Sequence, residues 1–299
     1  MTSALATPRR FATPRWLRLV ALAALFGIFF TGSPLIALVV FPFLRLFSPK
    51  RFREHCTRAL QVGMNLIIRA GVAMGIAHFH QKPLPSSVDA SKPYVLISNH
   101  PTYVDMLFIL GFFERLTCVT NGRWWKHWAL GRLLRSTLYL PGPGSGLAES
   151  EHMLDTMVSS LKAGHPLLVF PEGQRSFTDR LRRFRRGAVE AAVRADVPIV
   201  PLFLAIDRPF LTKQLPFWKP PRVPPTYAFE FFDPILPADF DHDSKRIQKH
   251  IEALYEARFE TQRLAYETLG ALPVSSGGGA TDSEGLADDA GDDGSAQKS

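Results

Sequence analysis

In the stretch Tyr94 to Leu110, YVLISNHPTYVDMLFIL, an imidazole and a carboxylate stand five positions apart, His100 and Asp105, between two apolar runs. A carboxylate that accepts the proton of one imidazole nitrogen fixes the tautomer and leaves the other nitrogen free to take a proton from a hydroxyl. Such a pair is a general base. The apolar run reads as a strand ending near Ser98, and Pro101 suits the first turn of a following helix. His100 then sits where a strand hands over to a helix, the usual place for ligand-facing groups in α/β sheets. Asp105 would lie about one and a half turns into that helix and meet His100 only if the histidine folds back from outside it. The same spacing also fits an Asn99–His100 helix cap beside an unrelated surface aspartate.

No enzyme nucleophile accompanies the pair. Ser145 in GPGSG lacks the outer spacing of a nucleophile elbow, and the segment lacks the lysine of a phosphate-binding loop. The chain has two cysteines, Cys56 and Cys118, without a CxxC pair, so neither a disulfide framework nor a zinc site is expected. His78 and His80 in HFH read as surface or interface histidines because no third ligand type lies nearby. A base without a nucleophile leaves direct attack by a substrate hydroxyl as the economical scheme. The second constellation is LLVFPEGQRSFTDRLRRFRRG. Here Arg175 follows a strand and a turn, and Arg180, Arg182, Arg183, Arg185 and Arg186 follow it. A guanidinium in such a turn can grip a phosphate with two parallel hydrogen bonds. The arginine run reads as a membrane-facing or phosphate-facing patch, since the chain shows no RRM, zinc-finger or helix-turn-helix signature.

The elements that must position these groups follow from periodicity. Strands are predicted at Tyr94–Ser98, Thr117–Thr120, Thr137–Leu140, Leu167–Phe170, Ile199–Leu204 and Tyr227–Phe232. Helices are predicted at Tyr103–Phe113, Leu147–Ala163, Gly187–Ala195 and Ser244–Leu269, the last capped by Asp243 and stopped by Gly270. The alternation predicts an α/β fold, a mixed sheet flanked by helices. Between Arg18 and Arg45 no charge interrupts the chain, which is long enough to cross a bilayer and predicts an N-terminal membrane-embedded helical segment. Gly32, Ser33 and Pro34 break that run near its middle, and basic residues flank both ends. A shallow hairpin with both ends on the cytoplasmic side satisfies the positive-inside rule, with a tilted span kinked at Pro34 as the alternative. The apolar segment RALQVGMNLIIRAGVAMGIAHF has helical spacing suited to the membrane surface or to the domain. At the other end, the tail from Val274 carries six acidic residues and one lysine and no aromatics, a composition that predicts disorder. The rest of the chain is therefore more basic than its overall +8, which points to anionic partners.

NHPTYVD, FPEGQRS and VPIVPL, in this order and at these separations, resemble the motif set of the glycerolipid acyltransferases, the family that contains 1-acylglycerol-3-phosphate acyltransferase. The resemblance covers roughly Lys92 to Phe232. It implies a membrane-bound O-acyltransferase with acyl-CoA or acyl-carrier protein as donor and a lysophospholipid hydroxyl as acceptor. It needs no cofactor or metal, and its partners are membrane lipids and the acyl donor, not nucleic acid. It implies that His100 is the catalytic base and Asp105 its orienting partner, and that Glu172, Gly173 and Arg175 bind the acceptor phosphate, with Gln174 between them and Asn99 beside the base. NGRWWKHWALGRLLR falls where the second motif lies, which puts Arg123 or Lys126 against acceptor or donor phosphates. Pro198 and Pro201 match the fourth motif, a shaper of the acyl channel. Gln174 stands where phosphatidate-forming members often have threonine, and GPGSG replaces the usual basic residue, which leaves ornithine-type or other hydroxylated lipids open as acceptors; the alternative from another class is a non-catalytic membrane lipid-binding protein of the same fold. The implied organisation is a membrane-associated region over 1–80, an acyltransferase domain over 81–270, and an acidic tail over 271–299, with the catalytic domain on the cytoplasmic face.

Overall fold

The computed structural model describes residues 14–142, 147–177, 180–212, 215 and 218–268. It opens with α1 (Arg15–Phe47), one continuous helix of 33 residues that carries Pro34 and Pro42 inside it. This corrects the expected hairpin break at Gly32–Pro34. A proline removes one N–H and bends a helix, but it does not end one whose flanks are packed and apolar. Along one side α1 lies against α2 (Phe52–Ala73). Just ahead of Pro34, Thr31 donates its hydroxyl to the Gly27 carbonyl at 2.7 Å. The chain reverses later, through a 3₁₀ turn at Pro49–Arg51 that carries Lys50 and Arg51. Two helices thus form the hairpin, and α1 alone is long and apolar enough to cross a membrane among the described residues.

Seven strands form one sheet in the order β1-β7-β6-β2-β5-β3-β4. They are β1 (His78–His80), β2 (Val95–Ser98), β3 (Thr117–Thr120), β4 (Leu140–Pro141), β5 (Leu167–Val169), β6 (Ile199–Ile206) and β7 (Thr226–Phe231). All neighbours run parallel except β6 and β7, so the sheet is mixed. Parallel strands inside such a sheet are covered on both faces and read as unbroken apolar runs. β2 and β6 are buried at every position. β1 was not anticipated, because its two histidines are exposed at the sheet edge and only Phe79 packs inward. The strand expected at Thr137–Leu140 is reduced to Leu140–Pro141. Thr137 instead closes the preceding helix by donating to the Leu134 carbonyl.

One face of the sheet packs against α1, α2 and α3 (Asp105–Phe112), with Met64, Ile68, Phe108 and Leu110 in that core. The other is covered by α6 (Leu147–Lys162), α7 (Gly187–Ala195) and α8 (Ser244–Thr268). Asp243 caps α8 by accepting from the backbone of Lys245 and Arg246, as the sequence predicts, whereas Gly270 lies outside the described residues. From α8, the buried Tyr255 hydroxyl donates toward the Ile97 carbonyl at 2.7 Å and accepts from Leu202 N–H at 3.0 Å, pinning β2 to β6. β2 is also where the topology switches direction. The chain leaves it for β3, β4 and β5 on one side and crosses to β6 on the other, the arrangement that opens a crevice at carboxyl ends of strands.

Candidate active site

Because β2, β5 and β3 are adjacent and parallel, the loops that follow them emerge on one edge of the sheet. Those loops carry His100, then Glu172 to Arg175, then Asn121 to Lys126. Asp105 is the first residue of α3, not one and a half turns into it, and Pro101 belongs to the loop ahead of the helix. The correction has a local cause. The Asp105 carboxylate accepts three hydrogen bonds from within the loop, and these curl His100 back onto the helix start. They come from His100 Nδ1 at 2.8 Å, from Thr102 N–H at 2.6 Å, and from the Thr102 hydroxyl. A carboxylate in that position can only accept, so Nδ1 carries the proton and Nε2 is the free basic nitrogen. Asp105 is fully buried, while His100 keeps about a fifth of its side chain exposed. The imidazole stacks on Phe170 at 4.3 Å between ring centres, which fixes its plane. Thr102 and Phe170 were missed from the sequence. Thr102 could have been found, because a threonine three positions from an aspartate can hydrogen-bond to it locally across a loop.

Glu172 is not placed to bind a phosphate. Its carboxylate is buried and turned inward, where it accepts from His100 N–H at 3.1 Å, the Ser176 hydroxyl at 2.6 Å and Arg182 N–H at 3.0 Å. Ser176 N–H in turn donates to the His100 carbonyl at 2.8 Å. The loops after β2 and β5 are therefore clasped together through Glu172, and the clasp sets the depth of His100. Burial raises the Glu172 pKa above the ordinary carboxylate value, while the bonds from Ser176, Arg182 and His100 oppose the shift. Asn99 is likewise structural: its amide donates to the Leu204 carbonyl and accepts from Leu204 N–H at 2.7 Å, so the side chain ties β2 to β6 away from the cavity. Gly173 adopts φ +69°, a conformation that favours glycine, and a Cβ there would stand 3.1 Å from the Arg185 side chain, which would have to give way.

Arg175 differs from its neighbours. Its guanidinium lies over the Tyr103 ring, with Cζ 3.4 Å from the centroid, and its Nη1 is buried without a hydrogen-bond partner. An unmatched buried guanidinium donor is costly unless something fills it, and an anionic ligand does so well. Both Arg175 and His100 line a cavity of 1390 Å³. Its lining includes the apolar Leu22, Phe26 and Phe29 of α1 and Met64 and Ile68 of α2, and the polar Arg123, Gln174 and Arg185. Lys126, on α4 (Gly122–Lys126), is exposed outside the cavity lining. Burial pushes the Cys56 thiol up to about 12 and raises that of Cys118 further, so neither supplies a thiolate. Among the described residues no cluster of His, Cys, Asp or Glu could hold a metal ion.

A mixed sheet covered by helices on both faces carries a histidine–carboxylate pair at its switch point, beside a cavity with apolar lining. Residues 78–205 match the family model described as Acyltransferase. Relatives include the human 1-acyl-sn-glycerol-3-phosphate acyltransferase alpha, 33% identical over 130 residues, which are 42% of this chain and 44% of the relative. The 1-acyl-sn-glycerol-3-phosphate acyltransferase of Pseudomonas aeruginosa is 31% identical over 115 residues, 37% of this chain and 44% of the relative. The match thus spans less than half the length of these curated relatives. In fold, the chain is similar to the 1-acyl-sn-glycerophosphate (LPA) acyltransferase PlsC from Thermotoga maritima, with a TM-score of 0.60 at 16% identity, covering 83% of this chain and 96% of that one.

Proposed function

We propose that this chain is a membrane-bound O-acyltransferase that moves a fatty acyl group from a thioester, acyl-CoA or acyl-carrier protein, to the hydroxyl of a lysophospholipid such as 1-acylglycerol-3-phosphate. One observation carries the reading: His100, held by Asp105, lines a cavity whose lining also includes apolar residues of α1 and α2 and Arg175 with its unmatched donor. In this scheme His100 Nε2 takes the proton of the acceptor hydroxyl as its oxygen attacks the thioester carbonyl. The C–S bond then breaks, and the imidazolium returns the proton to the departing thiolate. Asp105 stabilises the imidazolium and holds its plane. Arg175 grips the acceptor phosphate and so sets the distance from its hydroxyl to His100. The exposed apolar flank of α1 supports attachment to a bilayer, and basic residues around the α1–α2 turn support a cytoplasmic placement of the domain. The test supplies the purified full chain with labelled acyl-CoA and acyl-carrier-protein donors and a panel of lysolipids, then identifies the product. Transfer to a phosphorylated lysolipid that disappears in His100→Ala supports the reading. Transfer only to acceptors without phosphate removes the role given to Arg175, and no transfer to any hydroxyl removes the activity.

A further inference from the structure

The segment GRWWKHWALGRLLR forms two short helices, α4 and α5 (Trp128–Arg135), joined at an elbow. Its inner side is fixed. Trp125 donates its ring N–H to the Thr120 hydroxyl at 2.6 Å, Leu133 and Leu134 are buried, and Arg135 Nη1 donates to the Trp125 carbonyl at 2.8 Å. Gly131 passes so close to that carbonyl that a Cβ would stand 2.3 Å from it, so the angle between the helices is set by the absence of a side chain. The outer side is unlike an ordinary solvated face. Trp128 and Arg132 are exposed at positions i and i+4, on one face of α5. Trp128 is 85% exposed and Trp124 44%, and His127 lies between them with ring centres 6.4 Å from Trp124 and 6.0 Å from Trp128. Lys126 is exposed on the same elbow.

Exposed indoles held on a rigid turn and interleaved with basic side chains have the composition of a bilayer interface. There the ring sits at headgroup level and each cation meets anionic headgroups. The position agrees with the chemistry. α5 packs against α1, the helix with the long exposed apolar flank, and Arg123, Trp124 and Leu130 of the elbow line the cavity.

We propose that the α4–α5 elbow is a second contact with a bilayer bearing anionic headgroups, an interfacial one at the mouth of the cavity and distinct from the apolar α1–α2 hairpin. This inference rests on the membrane-bound reading above. In the full chain, Arg132→Cys carries an environment-sensitive fluorophore, and Leu38→Cys on the exposed flank of α1 carries the same label in a parallel sample; the native Cys56 and Cys118 are buried. On mixed phosphatidylcholine–phosphatidylglycerol vesicles both labels are expected to shift to the blue. The Arg132 label should lose much of that shift at high salt or without phosphatidylglycerol, and the Leu38 label should keep it. Trp128→Ser should abolish the shift at Arg132 only, and Trp128→Phe should retain part of it. If the Leu38 label shifts and the Arg132 label stays as in solution, the elbow proposal is overturned while membrane attachment stands. If neither shifts, the membrane-bound reading falls and takes the elbow with it. An Arg132 label that responds to protein concentration instead of lipid assigns the face to a second copy of the chain and overturns the lipid proposal.

Discussion

Replacing Asp105 with asparagine separates two things the carboxylate does for His100. Oδ2 accepts from both His100 Nδ1 and Thr102 N–H, whereas Oδ1 meets only the Thr102 hydroxyl, which can accept as well as donate. An asparagine placed with its carbonyl at the Oδ2 position and its NH₂ toward that hydroxyl keeps the imidazole oriented and keeps the proton on Nδ1. Only the charge is lost. Opposite unit charges about 4 Å apart at an effective dielectric near 20 attract by roughly 4 kcal/mol, an upper figure for what Asp105 gives the imidazolium as the proton arrives. With each decade of rate worth about 1.4 kcal/mol, kcat/KM in Asp105→Asn should fall by about 10²- to 10³-fold. Asp105→Ala also leaves three donors unmatched in a buried loop and should cost several kcal/mol of stability, so it is the less informative change. The assay follows thiol release from the donor at saturating acceptor, with thermal unfolding in detergent run alongside. A folded Asp105→Asn that transfers at the wild-type rate refutes the general-base scheme, because no step would then use the buried charge.

Thr102→Val keeps the backbone donor and removes the hydroxyl bond to Asp105, so kcat should fall roughly tenfold, the value of one bond to a charged group; Thr102→Ser should restore it, and failure of that rescue would mean packing, not the hydroxyl, matters. Arg175→Lys loses the planar fork and the stacking on Tyr103 while keeping the charge, and should raise KM for a phosphorylated acceptor by about 10- to 100-fold, nearly as much as Arg175→Ala; unchanged kinetics would detach Arg175 from the acceptor. Glu172 has a folded pKa raised by burial, so the native state holds its proton more tightly than the unfolded chain does, and its contribution to stability declines as pH rises from its ordinary value near 4.5. Glu172→Gln sets an amide N–H against Arg182 N–H and should be less stable, by a margin that shrinks as pH rises from acid toward neutrality; a margin that widens instead would show that the three bonds outweigh the burial.

Residue type and order alone carried the class of chemistry proposed above. A histidine and an aspartate at this spacing, a turn carrying Arg175, and the absence of a usable nucleophile or metal set point to hydroxyl activation by a base, and these are properties of short segments. Most central strands and helices were legible too, because burial on both faces leaves unbroken apolar runs and α8 shows its stripe and its cap. Which polar groups face a substrate was decided only by tertiary structure. Asn99 and Glu172 look as available as Arg175 when written in a line. The crossing to β6 gives Asn99 the Leu204 backbone as partner, and the clasp between the loops after β2 and β5 consumes the Glu172 carboxylate. The helix start at Asp105 and the continuity of α1 through Pro34 have the same cause. Hydrogen bonds and packing between residues far apart, or folded back across a loop, outweigh the local propensities that a sequence reading weighs. β1 and the inward face of the α4–α5 elbow were hidden for that reason as well: each is completed by partners from another part of the chain, β7 for one and Thr120 for the other.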